Sequence, residues 1–310
     1  MNAVSRYRRE ISVAVAYLFV LGILAIKAPA FFHQQFRNTW VEAAPVLVAG
    51  IGMTLIILAR EIDISIGWQF SICGVCAGLA AKSGLPIPVA ILCALLAGAV
   101  MGAFNGALVA FGGLPSIVVT LATMFIFQQG LKWSRQGEAV TGLPADFQWL
   151  GHSQHGGESM LILGAIALLV VFAIGSRWVA AGRTVYAVGS DREAARLAGV
   201  RPKRVIFTVF VLMGALVGLA AMLNAIRFPQ VDPNAGNGLE LQVIAAVVVG
   251  GTAISGGRGN LLGTLIGVAL LITIGSALTF LKSSEYWKQA IQGAIILLAV
   301  ASDGFARRNA

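Results

Sequence analysis

The chain has 310 residues, 58% of them apolar and only 11% charged, where a soluble domain carries about 25%. So few charges cannot cover the exterior of a water-soluble fold of this size, which excludes a soluble enzyme, a disordered chain and a fibrous repeat. The net charge of +9 is scattered between apolar runs, which suits the positive-inside bias of a polytopic membrane protein and not a nucleic-acid binder.

An apolar helix needs about 20 residues to cross the hydrocarbon core. On that length ten spans are predicted, over residues 11–31, 41–59, 66–82, 86–111, 114–131, 159–176, 205–226, 239–256, 261–281 and 286–302. The expected fold is all-α: one helical membrane bundle over 1–310, with about ten transmembrane helices. No cleavable signal pattern is expected at the first span. With the N-terminus in the cytoplasm, the inside segments hold Arg6, Arg8, Arg9, Arg60, the cluster from Arg177 to Arg204, Arg258, Arg307 and Arg308. Fewer cations fall outside: Lys27, Arg37, Lys82, Lys132, Arg135, Arg227, Lys282 and Lys288. This asymmetry predicts both termini inside.

Two connecting segments are long. Residues 132–158 form an external loop with Trp133, Trp149, His152 and His155. The His pair lacks a carboxylate or thiol at ligand spacing, so no metal site is expected. Cys73 and Cys76 form a C-x-x-C inside an apolar run, where they read as small buried residues and not as redox or zinc chemistry. The internal loop 177–204 carries a short punctuated helix. Ser190 and Glu193 have capping-box spacing, Ala194 to Ala198 favour helix, Gly199 supplies a left-handed stop, and Pro202 suits the first turn of the next helix. Two turns are too few to be stable alone. Such a helix either rests on the cytoplasmic leaflet or docks a soluble partner.

No G-x-x-x-x-G-K-[ST], H-E-x-x-H or G-x-S-x-G is present, so no ATP-binding loop or common hydrolase signature is expected in this chain. Glu42, Glu61, Asp63, Glu240 and Asp303 lie at or near span ends, which offers little to a proton relay through the spans. Gly98, Gly102 and Gly106 recur every fourth residue, as do Gly259, Gly263 and Gly267, with shorter pairs at Gly74/Gly78 and Gly214/Gly218. These stripes allow close helix approach, within the chain or at a subunit interface. Gln69, Asn105, Thr120, Thr123, Gln128, Gln129, Asn224 and Gln242 are uncharged polar groups within spans. They should face the interior and suit a hydroxylated solute.

Glu61-Ile62-Asp63-Ile64-Ser65-Ile66-Gly67 is similar to the Gly-Ile-Asp-Leu-Ser-Val-Gly segment of bacterial ABC importer permeases for ribose, xylose, rhamnose and autoinducer-2. Asn105-Gly106, Pro115-Ser116-Ile117-Val118-Val119-Thr120-Leu121, and Gly250-Gly251-Thr252 with Gly256-Gly257-Arg258-Gly259 resemble further segments of that family, in its order and over nearly the whole chain. Glu61 departs from it, since the family commonly has Gly there. The resemblance implies an inner-membrane permease subunit, not an enzyme, importing a monosaccharide (a pentose, or a deoxyhexose such as rhamnose) or a furanosyl signal such as autoinducer-2. It implies a cytoplasmic ATPase with two nucleotide-binding domains that holds ATP and Mg, a periplasmic solute-binding protein, and a second permease subunit of the same or a different sequence. No cofactor is then expected in this chain itself. Ser190, Asp191, Arg192, Glu193, Arg196, Leu197 and Gly199 match the family's coupling helix, and Asp63, Ser65 and Gly67 its turn motif. Gln69, Asn105, Gln128, Asn224 and Gln242 are the candidate pathway residues. The alternative is an ion-gradient-driven secondary transporter of a small polar solute.

Overall fold

The computed structural model describes residues 8–148 and 155–282, together with 287, 290, 291, 293, 294 and 297. Trp149, His152 and most of the expected span 286–302 lie outside the described residues. Within them the chain is helical: α1 (Arg8–Lys27), α2 (Ala30–Gln34), α3 (Phe36–Leu58), α4 (Ile66–Lys82), α5 (Ile87–Ala110), α6 (Ser116–Arg135), α7 (His155–Trp178), α8 (Ala180–Ser190), α9 (Arg192–Leu197), α10 (Pro202–Ala225), α11 (Leu239–Val249) and α12 (Leu261–Phe280).

Five of these helices are long and apolar enough to cross a membrane: α3, α5, α7 from Gly156, α10 and α12. This is a helical membrane protein, but the described helices do not support the count of ten. The first expected span is broken at Pro29 into α1 and α2. The eighth, expected over 239–256, ends at Val249 after 11 residues, about 16 Å at 1.5 Å per residue, which is too short to cross the hydrocarbon core as a helix alone. Its stop is written in Gly250-Gly251, where Gly251 has a φ of 97° that an L side chain resists. The apolar run continues past this break, and the run had masked it.

The bundle is built around α3, whose residues from Val46 to Leu58 are all buried. Thr54 Oγ1 and Thr264 Oγ1 meet at 2.7 Å between α3 and α12, one of the polar links that hold helices together where lipid removes the hydrophobic drive. The glycine stripes pack inside the chain. A Cβ on Gly98 would strike the carbonyl oxygen of Gly214, and one on Gly102 that of Phe210, so α5 and α10 touch backbone to backbone. Gly267 lies in the same way against Ala246, and Gly250 against Gly263, joining α11 to α12.

Segments that the charge count assigns to one side of the membrane share an end of the molecule. At one end, Gly257 N donates to Leu58 O at 3.0 Å and the Tyr186 hydroxyl to Gly259 O at 3.2 Å. These contacts gather Arg60, the 177–204 loop and Arg258. At the other end, Val140 and Val231 exchange backbone hydrogen bonds of 2.9 and 3.0 Å, and Arg37 pairs with Glu158 at 2.9 Å.

Candidate functional site

Between α3 and α4 the chain runs non-helically through residues 59–65. Arg60 takes a left-handed φ of 65°, which turns the backbone back into the bundle. Asp63, Ser65, Gln69 and Asn105 are all fully buried there. Asp63 Oδ1 accepts from the Ser65 amide at 2.9 Å and from the Ser65 hydroxyl at 2.6 Å. Ser65 Oγ accepts in turn from Gln69 Nε2 at 2.7 Å and Asn105 Nδ2 at 2.9 Å, and Gln69 Nε2 also reaches Asp63 Oδ2 at 3.3 Å. The expected turn motif and two of the expected pathway amides thus form one cluster. It leaves Gln69 Oε1 and Asn105 Oδ1 without a hydrogen-bond partner among the described residues. Buried acceptors in that state are costly unless a donor reaches them.

The acidic side chains Asp63 and Glu240 flank helix starts but are buried, although their positions suggested span ends. Asp63 precedes the first turn of α4, and Glu240 sits in the first turn of α11. Both lie where a helix N-terminus favours negative charge. The two starts touch: a Cβ on Gly67 would strike Glu240 Oε2 and Gly236 O. From there the 226–238 segment follows one face of α4. Gly236 N donates to Ser71 Oγ at 3.0 Å, and Val231 lies over Gly74 and Gly78. Residues 67, 71, 74 and 78, three glycines and a serine at spacings of four, three and four, are one small-residue face. Sequence reading noticed only Gly74 and Gly78. The complete heptad-like spacing was the signal that a chain segment, and not a helix of ordinary bulk, would lie there.

Asn224 belongs to a different place. It lines an open cavity of about 460 Å³ between α4, α10 and the 226–238 segment, with Phe70, Ser71, Phe228, Gln230 and Asp232. Gln128 and Gln242 are half-buried and join neither group by a hydrogen bond among the described residues.

At the end that holds Arg60, the short helix α9 forms, with a different cap from the one expected. Ser190 is the last residue of α8. The N-cap is Asp191, whose carboxylate accepts from the Glu193 and Ala194 amides at 2.8 and 2.9 Å. The Asp191 amide already donates to Ala187 O, so the reciprocal half of a capping box has no donor to serve, and Glu193 pairs with Arg196. Arg196 beside it pulls the Glu193 carboxyl below the usual range. A depressed carboxyl keeps its charge as pH falls through the ordinary carboxylate range, so this pair stays ionised at neutral pH. Gly199 does end the helix with a φ of 83°, and Pro202 opens α10. The side chains divide: Arg192, 47% exposed, reaches in to pair with the buried Glu61, while Glu193, Arg196 and Leu197 are more exposed, Leu197 at 76%.

Residues 36–300 match the family model described as branched-chain amino acid transport system / permease component. This chain belongs to that permease family. The autoinducer 2 import system permease protein LsrC of Enterobacter sp. (strain 638) is 32% identical over 97% of this chain and 88% of its own. The LsrC protein of Yersinia pseudotuberculosis serotype O:1b (strain IP 31758) is 34% identical, over 96% and 85%. That of Photorhabdus laumondii subsp. laumondii is 32% identical, over 96% and 89%. No solved structure matches. The permease is therefore an ABC importer subunit and not an enzyme, and its apolar helices are those of a multi-pass membrane protein.

Proposed function

We propose that this permease carries a furanosyl signal of the autoinducer-2 type, or a monosaccharide of similar size, inward across the bacterial inner membrane. The observation that carries the reading is the full-length similarity to three autoinducer-2 permeases. Pentoses and deoxyhexoses such as rhamnose are the competing solutes. The unpartnered Gln69 and Asn105 oxygens suit the hydroxyl donors of such a ring. Asn224, with Phe228 and Gln230 at the mouth of the outer cavity, offers an amide and an aromatic face to the same ligand class. Gln128 and Gln242 would line the remaining path. Metal ions have no part in this reading, and ATP with Mg belongs to a separate cytoplasmic ATPase. A periplasmic binding protein delivers the solute, and a second permease completes the pair.

In this reading α9 docks the ATPase through Glu193, Arg196 and Leu197, with Asp191 and Gly199 fixing its ends and Ser190 joining it to α8. A charge pair that an interface desolvates loses much of its binding when one partner is truncated. Replacing the three by Ala together should leave membrane insertion normal, while copurifying ATPase and autoinducer-2 uptake are both lost. Full retention of the ATPase by this variant would favour a helix that merely rests on the membrane. Uptake that survives without the ATPase and collapses with the ion gradient would favour a secondary transporter instead.

The same reading makes the Arg60 end cytoplasmic and retains ten spans with both termini inside. Single cysteines at Arg6, Gln148 and Asp191, in a background lacking Cys73, Cys76 and Cys93, test the sidedness. Only the Gln148 site should react with an impermeant thiol reagent in intact cells. Labelling at Asp191 would reverse the orientation.

A further inference from the structure

Glu61 stands where the resembled family segment has Gly, and its carboxylate is 7% exposed. An ionised carboxylate removed from water needs a charge partner. It has one in Arg192, the first residue of α9, 131 positions along the chain. The residues on either side of Glu61 are tied as firmly, each to a different element. Leu58 O accepts from Gly257 N at 3.0 Å, and Gly189 packs against it. Ile62 N donates to Ser116 Oγ on α6 at 3.2 Å, while the Thr120 hydroxyl near Ile62 O donates more closely to Ser116 O, at 2.8 Å. Asp63 leads through Ser65 to Asn105 on α5. Three consecutive residues, 61 to 63, therefore link α9 to α6 and to α5.

We propose that the Glu61–Arg192 pair is a charge latch that passes displacement of α9 to the buried Asp63 cluster, and so couples ATPase movement to the solute path. The inference rests on the docking role of α9 proposed above. The pair is half-buried, with Glu61 7% and Arg192 47% exposed, so losing Arg192 would strand the buried Glu61 carboxylate, which is more costly than losing a fully exposed pair. The pair stays closed as α9 moves, and α9 cannot leave the bundle without drawing residues 61–63 with it. The cavity of about 410 Å³ beside it, lined by Arg60, Ser190, Asp191, Arg192 and Glu193, leaves room for that travel. Arg192 is then a positioning residue and not a contact to the ATPase.

The test uses the assembled transporter in proteoliposomes, with its ATPase and binding protein and with autoinducer-2 as solute. ATPase association, hydrolysis rate and solute moved per ATP are read together. Glu61→Gln should keep the ATPase bound and hydrolysing, while solute moved per ATP falls about tenfold, as loss of one charge-assisted hydrogen bond predicts. Glu61→Arg alone should do the same, and combining it with Arg192→Glu should restore most of the coupling. Wild-type solute per ATP in Glu61→Gln overturns the latch. So does loss of ATPase association in that variant, which would make Glu61 a support for the shape of α9, and so does a swap no better than its single variants. Failure of the underlying reading would look different, since the variant with Glu193, Arg196 and Leu197 replaced by Ala would then keep its ATPase.

Discussion

Gly214→Val, or Gly98→Val on the facing helix, is expected to destroy most of the heat-stable permease, while Gly164→Val on α7 leaves it intact. The difference lies in what each new side chain would meet. At Gly98 and Gly214 the obstacle is the carbonyl oxygen of the opposite helix, and Gly102 and Gly218 are in the same position toward Phe210 and Ala94. Side chains can change rotamer to relieve a clash, but backbone cannot, so α5 and α10 would have to separate along their shared face. Overpacking an ordinary core costs about 1–3 kcal/mol, and a backbone collision that also unseats the buried Phe210, Met213 and Val217 should exceed that range. Against total stabilities of about 5–15 kcal/mol, such a loss is decisive. Gly164 has no atom within 4 Å of the added carbon. The monodisperse fraction surviving a heating series in detergent reads the effect, and equal survival of the three variants would show that this contact does not hold the bundle together.

The second large effect is expected at Asp63. Asp63→Ala removes the acceptor of the Ser65 amide and the Ser65 hydroxyl. Each buried donor left without a partner costs about 1–3 kcal/mol, so both thermal stability and uptake should fall sharply. Asp63→Asn should be milder, for a reason visible in the cluster. Its Oδ1 can still accept from the Ser65 amide and hydroxyl, and its new NH2 gives up only the long 3.3 Å contact from Gln69 Nε2, which keeps its 2.7 Å bond to Ser65 Oγ. Uptake assays with melting curves on the two variants check the ordering. An Asn variant as damaged as the Ala variant would mean that the negative charge itself is required.

How much of this was legible depended on the distance over which the chemistry acts. The stop at Gly199 and the restart at Pro202 follow from backbone preferences of single residues, and both are found. The glycine stripes follow from steric size at fixed helical spacing; those of α5, α10 and α12 prove to be places of backbone contact, while Gly74 and Gly78 lie under the Val231 side chain. The cap goes to Asp191 and not to Ser190, because the loop expected over 177–204 holds a further helix, α8, that runs through Ser190 and supplies a partner for the Asp191 amide. The truncated α11 was hidden because hydropathy averages over a glycine pair that the backbone does not ignore. Contacts between distant segments left weaker traces. Nothing near Glu61 announces Arg192, and the seat of the 226–238 segment on α4 could be sensed only from the spacing of Gly67, Ser71, Gly74 and Gly78. The Asp63 cluster was half visible: its residues were marked as polar groups in apolar surroundings, but their union needed α4 to start beside α5.

The shortness of α11 has a consequence for how the chain is made. Eleven residues do not hold a place in lipid by themselves, and the acidic Glu240 in the first turn of α11 opposes entry further. The machinery that threads nascent helices into the bilayer therefore cannot deliver this segment as an independent unit. Its resting place is nevertheless complete before it emerges, since the groove of Gly67, Ser71, Gly74 and Gly78 is translated long beforehand. Residues 226–249 are thus laid into a finished protein surface and not into lipid, and the order of synthesis supplies the template before the part that needs it.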